Sequence, residues 1–140
     1  MGCSGMNRNQ TGDNSYVVLI MTRTSEKARY AFLHEIGICA VTGREGDIHA
    51  AHIRGPDSLF GKTESGMGRK PHWVWTIPLS PAMHTLQHTM SEKQFWDSHG
   101  YPFRDIAKGP LAAALVLEGF RQLGDVDGAR TWLRERASGD

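Results

Sequence analysis

Between Gly55 and Lys70 the chain is rich in glycine, contains Pro56, and shows neither a helical nor a two-residue apolar period. A stretch that long without a repeat reads as one extended loop. Inside compact domains such loops are usually functional or mobile. It separates two β-prone segments, Asp47 to Ile53 and Trp73 to Leu79, and so limits what kind of small core the rest can build.

On its N-terminal side, Thr24 to Ile36 reads as a helix capped by Thr24 or Ser25 and stopped by Gly37. Ala28, Phe32 and Ile36 supply its apolar face with Ala31 and Leu33, and His34 falls on the surface. Tyr16 to Met21 reads as a short strand or a lead into this helix. Ile38 to Val41 is β-prone, Thr42 to Gly46 is a turn, and a hairpin with Asp47 to Ile53 is expected. Beyond the loop, Pro81 to about Met90 reads as a helix with Pro81 in its first turn. Ser91-Glu-Lys-Gln94 is a capping-box pattern opening a helix over Glu92 to Ser98, with Phe95 and Trp96 as packing residues. A short helix over Pro102 to Lys108 and longer ones over Leu111 to Leu123 and Val126 to Arg136 follow. The expected class is α+β, with a disordered head at 1–15 and a single domain at 16–140.

A chain of 140 residues is one ordinary domain with a sizeable core. Its apolar runs, Val17 to Met21 among them, are far too short to span a bilayer. The start Met1-Gly-Cys-Ser4 lacks the Ser or Thr at position 6 that myristoylation needs, and no apolar stretch precedes Cys3, so a cytoplasmic protein is expected. Cys3 and Cys39 cannot make a disulfide framework or a four-thiolate zinc site, and Cys39 reads as a buried small apolar residue. A net charge of +1 gives little support for nucleic-acid binding, although Arg54, Lys62, Arg69 and Lys70 outnumber Asp57 and Glu64 around the loop.

Chemistry concentrates in the histidines. His84 and His88 stand four apart on the expected helix, so both imidazoles reach one point. A strand histidine, His52, facing that pair suits a divalent metal held beside a general base, the combination that hydrolyses phosphodiesters. His49 and His52 are three apart and point to opposite strand faces, so His49 is set aside from a site that uses His52. The His84 motif is not that of the zincins, since no glutamate follows His84.

Cys39-Ala-Val-Thr-Gly43, Ala50-Ala-His52-Ile-Arg54, Gly66-Met-Gly-Arg-Lys-Pro71, Ile77-Pro-Leu79 and His84-x3-His88 recur here in an order that resembles the HNH, or His-Me finger, endonucleases. The likeness is to a prophage-borne branch with an Ala-His-Ile signature, and it covers roughly residues 24–108. It implies a small ββα-metal core at about 38–90, with an N-terminal helix and a C-terminal helical extension at 91–140. His52 corresponds to the general base, His88 to the last metal ligand, and His84 to the ligand or orienting histidine one turn earlier. His72 falls near the family's middle polar position as an auxiliary residue, and Arg54, Lys62, Arg69 and Lys70 would contact phosphates. The implied cofactor is Mg²⁺ or Mn²⁺, although paired imidazoles also suit Zn²⁺, Ni²⁺ or Co²⁺. The implied partner is double-stranded or branched DNA, in a bacterial cell and of phage origin, with a homodimer left open.

This chain departs from the family in places. Cys39-x-x-Thr42 and Ser80-x-x-Met83 cannot hold the structural zinc of many relatives, so packing by Cys39, Met83, Pro81 and the C-terminal helices is expected to replace it. Ala51 stands where a ligand often precedes the base. Two other readings therefore stay open. One is a catalytically decayed DNA-binding or assembly protein on the same scaffold; the other is a small α+β protein whose histidines are structural. Leu111 to Leu123 is apolar enough for a core helix or a dimer face, and core packing is favoured.

Overall fold

Two short strands carry the centre of the molecule. β1 (His49–His52) and β2 (Thr76–Leu79) pair antiparallel, with His49 opposite Leu79, Ala50 opposite Pro78, Ala51 opposite Ile77 and His52 opposite Thr76. The structure is a computed structural model and describes residues 23–54 and 72–138. The 1–15 head with Cys3, the Tyr16–Met21 segment and the Gly55–Lys70 stretch with Lys62, Arg69 and Lys70 lie outside the described residues.

The hairpin expected between Ile38–Val41 and Asp47–Ile53 does not form. Ile38 makes one antiparallel bridge, to Glu45, and the chain between them closes as a knuckle. Cys39 N–H donates to Arg44 O at 3.1 Å and Gly43 N–H to Cys39 O at 2.8 Å. Gly43 sits at φ 74°, a left-handed conformation that costs a glycine little. The reason lies in where the free edge goes. Ala40 N–H donates to Pro78 O at 2.8 Å, so this segment is docked on β2, and β1 finds its partner across the glycine-rich stretch.

Among the described residues, five helices surround the strands. α1 (Arg23–Ile36) starts just ahead of its expected caps and stops at Gly37, which has φ 59° and donates to Leu33 O. α2 (Pro81–Gln87) is capped by Ser80, whose hydroxyl accepts from Met83 N–H at 3.3 Å. It ends before the expected Met90, with His88 as its C-cap. α3 (Glu92–Ser98) is capped by Ser91, as its sequence suggests. α4 (Pro110–Leu123) and α5 (Val126–Ala137) complete the chain.

Pro102 to Lys108 forms turns, not a helix. The Asp105 carboxylate accepts from the N–H groups of Ala107 and Lys108, both at 2.8 Å, and these local bonds compete with a helical ladder.

The core joins α1 (Phe32, Leu33, Ile36), the knuckle (Ile38, Cys39), both strands, Phe95 and Trp96 of α3, and the inner faces of α4 and α5. Leu111, Ala113, Ala114 and Leu117 are buried while Leu115 and Val116 are exposed, so α4 is a core helix as favoured. At the centre lies a buried cation. Arg29 of α1 donates to Thr76 Oγ1 and the Val74 and Thr76 carbonyls around β2, and to Glu118 and Ala114 O of α4.

The knuckle is held without thiolate pairs. Cys39 is buried and Met83 packs against the core as expected, but Pro81 is exposed and contributes only the first turn of α2. The clamp comes from farther along the chain. Tyr101 donates its hydroxyl to Ala40 O at 2.8 Å, Arg130 binds Ile36 O, and Arg130 and Arg134 of α5 both pair with Glu45.

Candidate functional site

Strand parity and register decide which histidine meets which helix. Residues opposite each other in an antiparallel pair share a face, so His49, Ala51, Ile77 and Leu79 lie on one side and Ala50, His52, Thr76 and Pro78 on the other. The first side carries α2. His49 Nδ1 lies 2.9 Å from His84 Nδ1, with the rings edge-on at 5.1 Å between centroids. His84 Nε2 in turn lies 3.2 Å from His88 Nε2. His84 and His88 thus come together as expected, but the strand histidine in contact with them is His49. The parity argument separating His49 from His52 was sound; its error was in the phase, because the face turned to α2 is that of His49.

His52 faces α1. Its Nε2 is 3.4 Å from the Tyr30 hydroxyl, and that hydroxyl donates to Glu26 Oε2 at 3.3 Å. With its one proton on Glu26, the Tyr30 oxygen is left as an acceptor facing His52 Nε2. Burial and then the Glu26 charge push the Tyr30 phenol up to about 12, so it stays protonated in this chain of bonds.

The end of β1 is also tied to α2 and α3. The buried Gln87 amide donates to His52 O at 3.0 Å and to Glu92 Oε2 at 3.1 Å. The other oxygen of Glu92 accepts from Arg54 N–H and Trp96 Nε1. Arg54 itself is exposed beside the histidines. His72 is exposed too, and its Nδ1 accepts from Val74 N–H at 3.2 Å while its ring tilts against Trp73.

The His84–His88 spacing can be tested against a metal. Two imidazole nitrogens bound at about 2.0–2.1 Å with a tetrahedral angle lie about 3.3 Å apart. The 3.2 Å separation matches that, and His88 is exposed, which leaves room for water or phosphate oxygens. Burial, then the charges of His88, His49 and Arg54, hold the His84 pKa below its usual 6.5, so its ring is neutral at physiological pH as a ligand must be. Among the described residues no three His, Cys, Asp or Glu side chains form a group that could hold a metal together. The residues therefore fit an open, two-imidazole site rather than a cage.

No family model, curated protein or solved structure matches the chain. The likeness to HNH endonucleases thus rests on the order of motifs in this sequence. Also, among the described residues, no helix is long and apolar enough to cross a membrane.

His49, Tyr30 with Glu26, Gln87 and Glu92 are the site residues that sequence reasoning missed. For His49 a signal existed: it stands two residues before Ala51, where the HNH pattern the sequence resembles places a ligand, and so shares that face. For the others there was none, because Tyr30, Gln87 and Glu92 reach the end of β1 from distant parts of the chain and Glu26 acts through Tyr30.

Proposed function

We propose that the protein is a metal-dependent DNA endonuclease of the HNH type, with His52 as general base and a divalent ion on His84 and His88. The observation that carries this reading is the pair of Nε2 atoms 3.2 Å apart on α2, beside a strand whose last residue is His52. Support also comes from the order of elements. An antiparallel pair with a long glycine-rich connection is followed directly by a short helix bearing the two histidines.

When bound, the ion would supply charge stabilisation to the phosphate and its leaving oxygen. The chain's own groups do the rest. His52 takes the proton from the attacking water, a role that contributes on the order of 10²–10⁴-fold to such reactions. Tyr30 and Glu26 hold the ring at Nε2, and Gln87 fixes the backbone that carries it. Arg54 is suited to a phosphate of the substrate, as are Lys62, Arg69 and Lys70. Mg²⁺ and Mn²⁺ are the expected ions, while two imidazoles also suit Zn²⁺, Co²⁺ and Ni²⁺. The proposed setting is a phage-derived protein in the bacterial cytoplasm.

The test is nicking of supercoiled plasmid and of branched DNA with each ion, for wild type and His52→Ala. Metal-stimulated nicking by wild type and a loss of at least about 10²-fold in the variant is expected. Equal nicking by both, or none with any ion, refutes it.

A second reading has its own observation. Ala51 is fully buried and offers no ligand, which leaves two protein donors among the described residues. That favours a scaffold that binds DNA without cutting it. Salt-sensitive DNA binding with no metal-stimulated cleavage would select this alternative.

A further inference from the structure

His84 is the middle ring of three, and both of its nitrogens are engaged. Nδ1 is 2.9 Å from His49 Nδ1, and Nε2 is 3.2 Å from His88 Nε2. A neutral imidazole has a single N–H, so His84 donates in only one of these two contacts. The shorter distance is that of a good N–H···N hydrogen bond, and the longer one is the spacing of two neighbouring ligands on one ion.

We propose that His49 is a positioning residue: its Nδ1 accepts the His84 Nδ1–H and so fixes His84 in the tautomer whose Nε2 lone pair faces His88, forming a site for an imidazole-preferring divalent cation. This rests on the reading of His84 and His88 as ligands. A ligating histidine almost always passes its other N–H to an acceptor, which sets tautomer and ring orientation. Here the acceptor comes from the neighbouring strand.

The fold holds the two rings in register through a short path. His49 pairs with Leu79; Ser80 follows and caps α2; and His84 N–H donates to Ser80 O at 2.9 Å. The first residue of β1 and the second turn of α2 are therefore fixed relative to each other by three consecutive backbone relations. His49 is not a third ligand of the same ion, because the two nitrogens of His84 point to different neighbours.

The test uses the whole chain in two measurements. Two-bond ¹H–¹⁵N spectra of the metal-free protein read the tautomer, and His84 protonated on Nδ1 is expected. Protonation on Nε2 overturns the proposal, whether or not any metal binds. Co²⁺ titration followed by optical absorption reads the consequence. His49→Ala is expected to weaken Co²⁺ binding about 10–100-fold, the usual effect of losing such a partner. His49→Asn, which keeps an acceptor, should recover most of that loss, while His84→Ala abolishes binding. Position 49 is exposed, so both variants leave the core untouched. Unchanged affinity in His49→Ala overturns the inference. So does a loss as complete as that of His84→Ala with no rescue by His49→Asn, which would make His49 a ligand. A wild type that binds no Co²⁺ while His84 is protonated on Nδ1 upholds the hydrogen bond and sinks the metal reading of His84 and His88.

Discussion

Replacing Arg29 by methionine is the sharpest structural perturbation this fold offers. The guanidinium is fully buried, and burial lowers its pKa to about 10 against the opposing pull of Glu118, so it remains charged at neutral pH. It donates to Thr76 Oγ1 at 3.2 Å, Glu118 Oε1 at 3.2 Å, and the carbonyls of Val74, Thr76 and Ala114 at 3.1, 2.8 and 3.3 Å. Methionine fills much of the volume and removes every one of these bonds. Removing one partner of a buried pair typically costs about 3–5 kcal/mol. The loss here belongs at the lower end, about 3 kcal/mol on that scale, because the Glu118 carboxylate is not stranded. Arg121 binds it at 2.5–3.1 Å and Gln122 at 3.0 Å. Glu118→Gln leaves Arg29 with its other acceptors and should cost about 1.5–3 kcal/mol, the range for a hydrogen bond to a charged group. The double variant should lose less than the sum of the two. Urea unfolding followed by circular dichroism measures all three, with midpoints moving at constant slope. A loss under about 1 kcal/mol for Arg29→Met, or strict additivity, would refute the claim that this cation locks α1 and α4 onto β2. The consequence reaches the site, since Thr76 stands opposite His52 and Tyr30 follows Arg29 in the chain.

Other perturbations separate what holds the site from what holds the fold. Gln87→Leu removes the bonds to His52 O and Glu92; it should cost about 1–3 kcal/mol and slow nicking while leaving Co²⁺ affinity unchanged, because it anchors His52 and not His84. A Co²⁺ affinity that falls with the nicking rate would contradict that division. Burial raises the Tyr101 phenol to about 12, so the folded state favours its protonated form. Its contribution is full below the ordinary value of 10.0 and is lost as pH rises from there through about 12. Wild type should therefore exceed Tyr101→Phe by about 1 kcal/mol at neutral pH, with the gap closing over that alkaline window in urea midpoints. A gap that stays constant to the end of the window argues against it. Glu45→Ala should cost only about 0.2–1 kcal/mol, and less in molar salt, because the carboxylate is largely exposed despite meeting Arg130 and Arg134. A larger, salt-insensitive loss would show that this clamp does more for the knuckle than its exposure suggests.

Where local chemistry decided the fold, the sequence was legible. Gly37, Ser91 and Pro81 mark helix ends through backbone geometry and capping that operate within a few residues. The apolar face of α4 is likewise visible in its spacing. Strand pairing was not legible, because it depends on contacts across the chain. Ile38–Val41 and His49–His52 look like natural hairpin partners from their spacing, yet Ala40 N–H bonds Pro78 O and Ile38 reaches only Glu45. The segment Pro102–Lys108 failed for the opposite reason. A single carboxylate, that of Asp105, captures two backbone donors that a helix would have used.

The histidine site shows how a correct rule can still yield the wrong partner. Alternation along a strand tells which residues share a face, but not which face meets a given helix. That second question was answerable from position 51. If a ligand is ordinarily placed there, the metal side of the strand is the side of position 51, and in an unbroken strand His49 lies on that side while His52 does not. A base three residues from the ligand-side histidine then faces away from the ion's neighbours and must be held by other groups. Here those are Tyr30 and Glu26, from a helix that precedes the strand. Under the proposal for His49, a residue on the face of position 51 would act on the ion through His84. A direct ligand placed at position 51 would not reproduce this arrangement, because Ala51 is fully buried opposite Ile77 and a larger polar side chain there would have to be accommodated within the core.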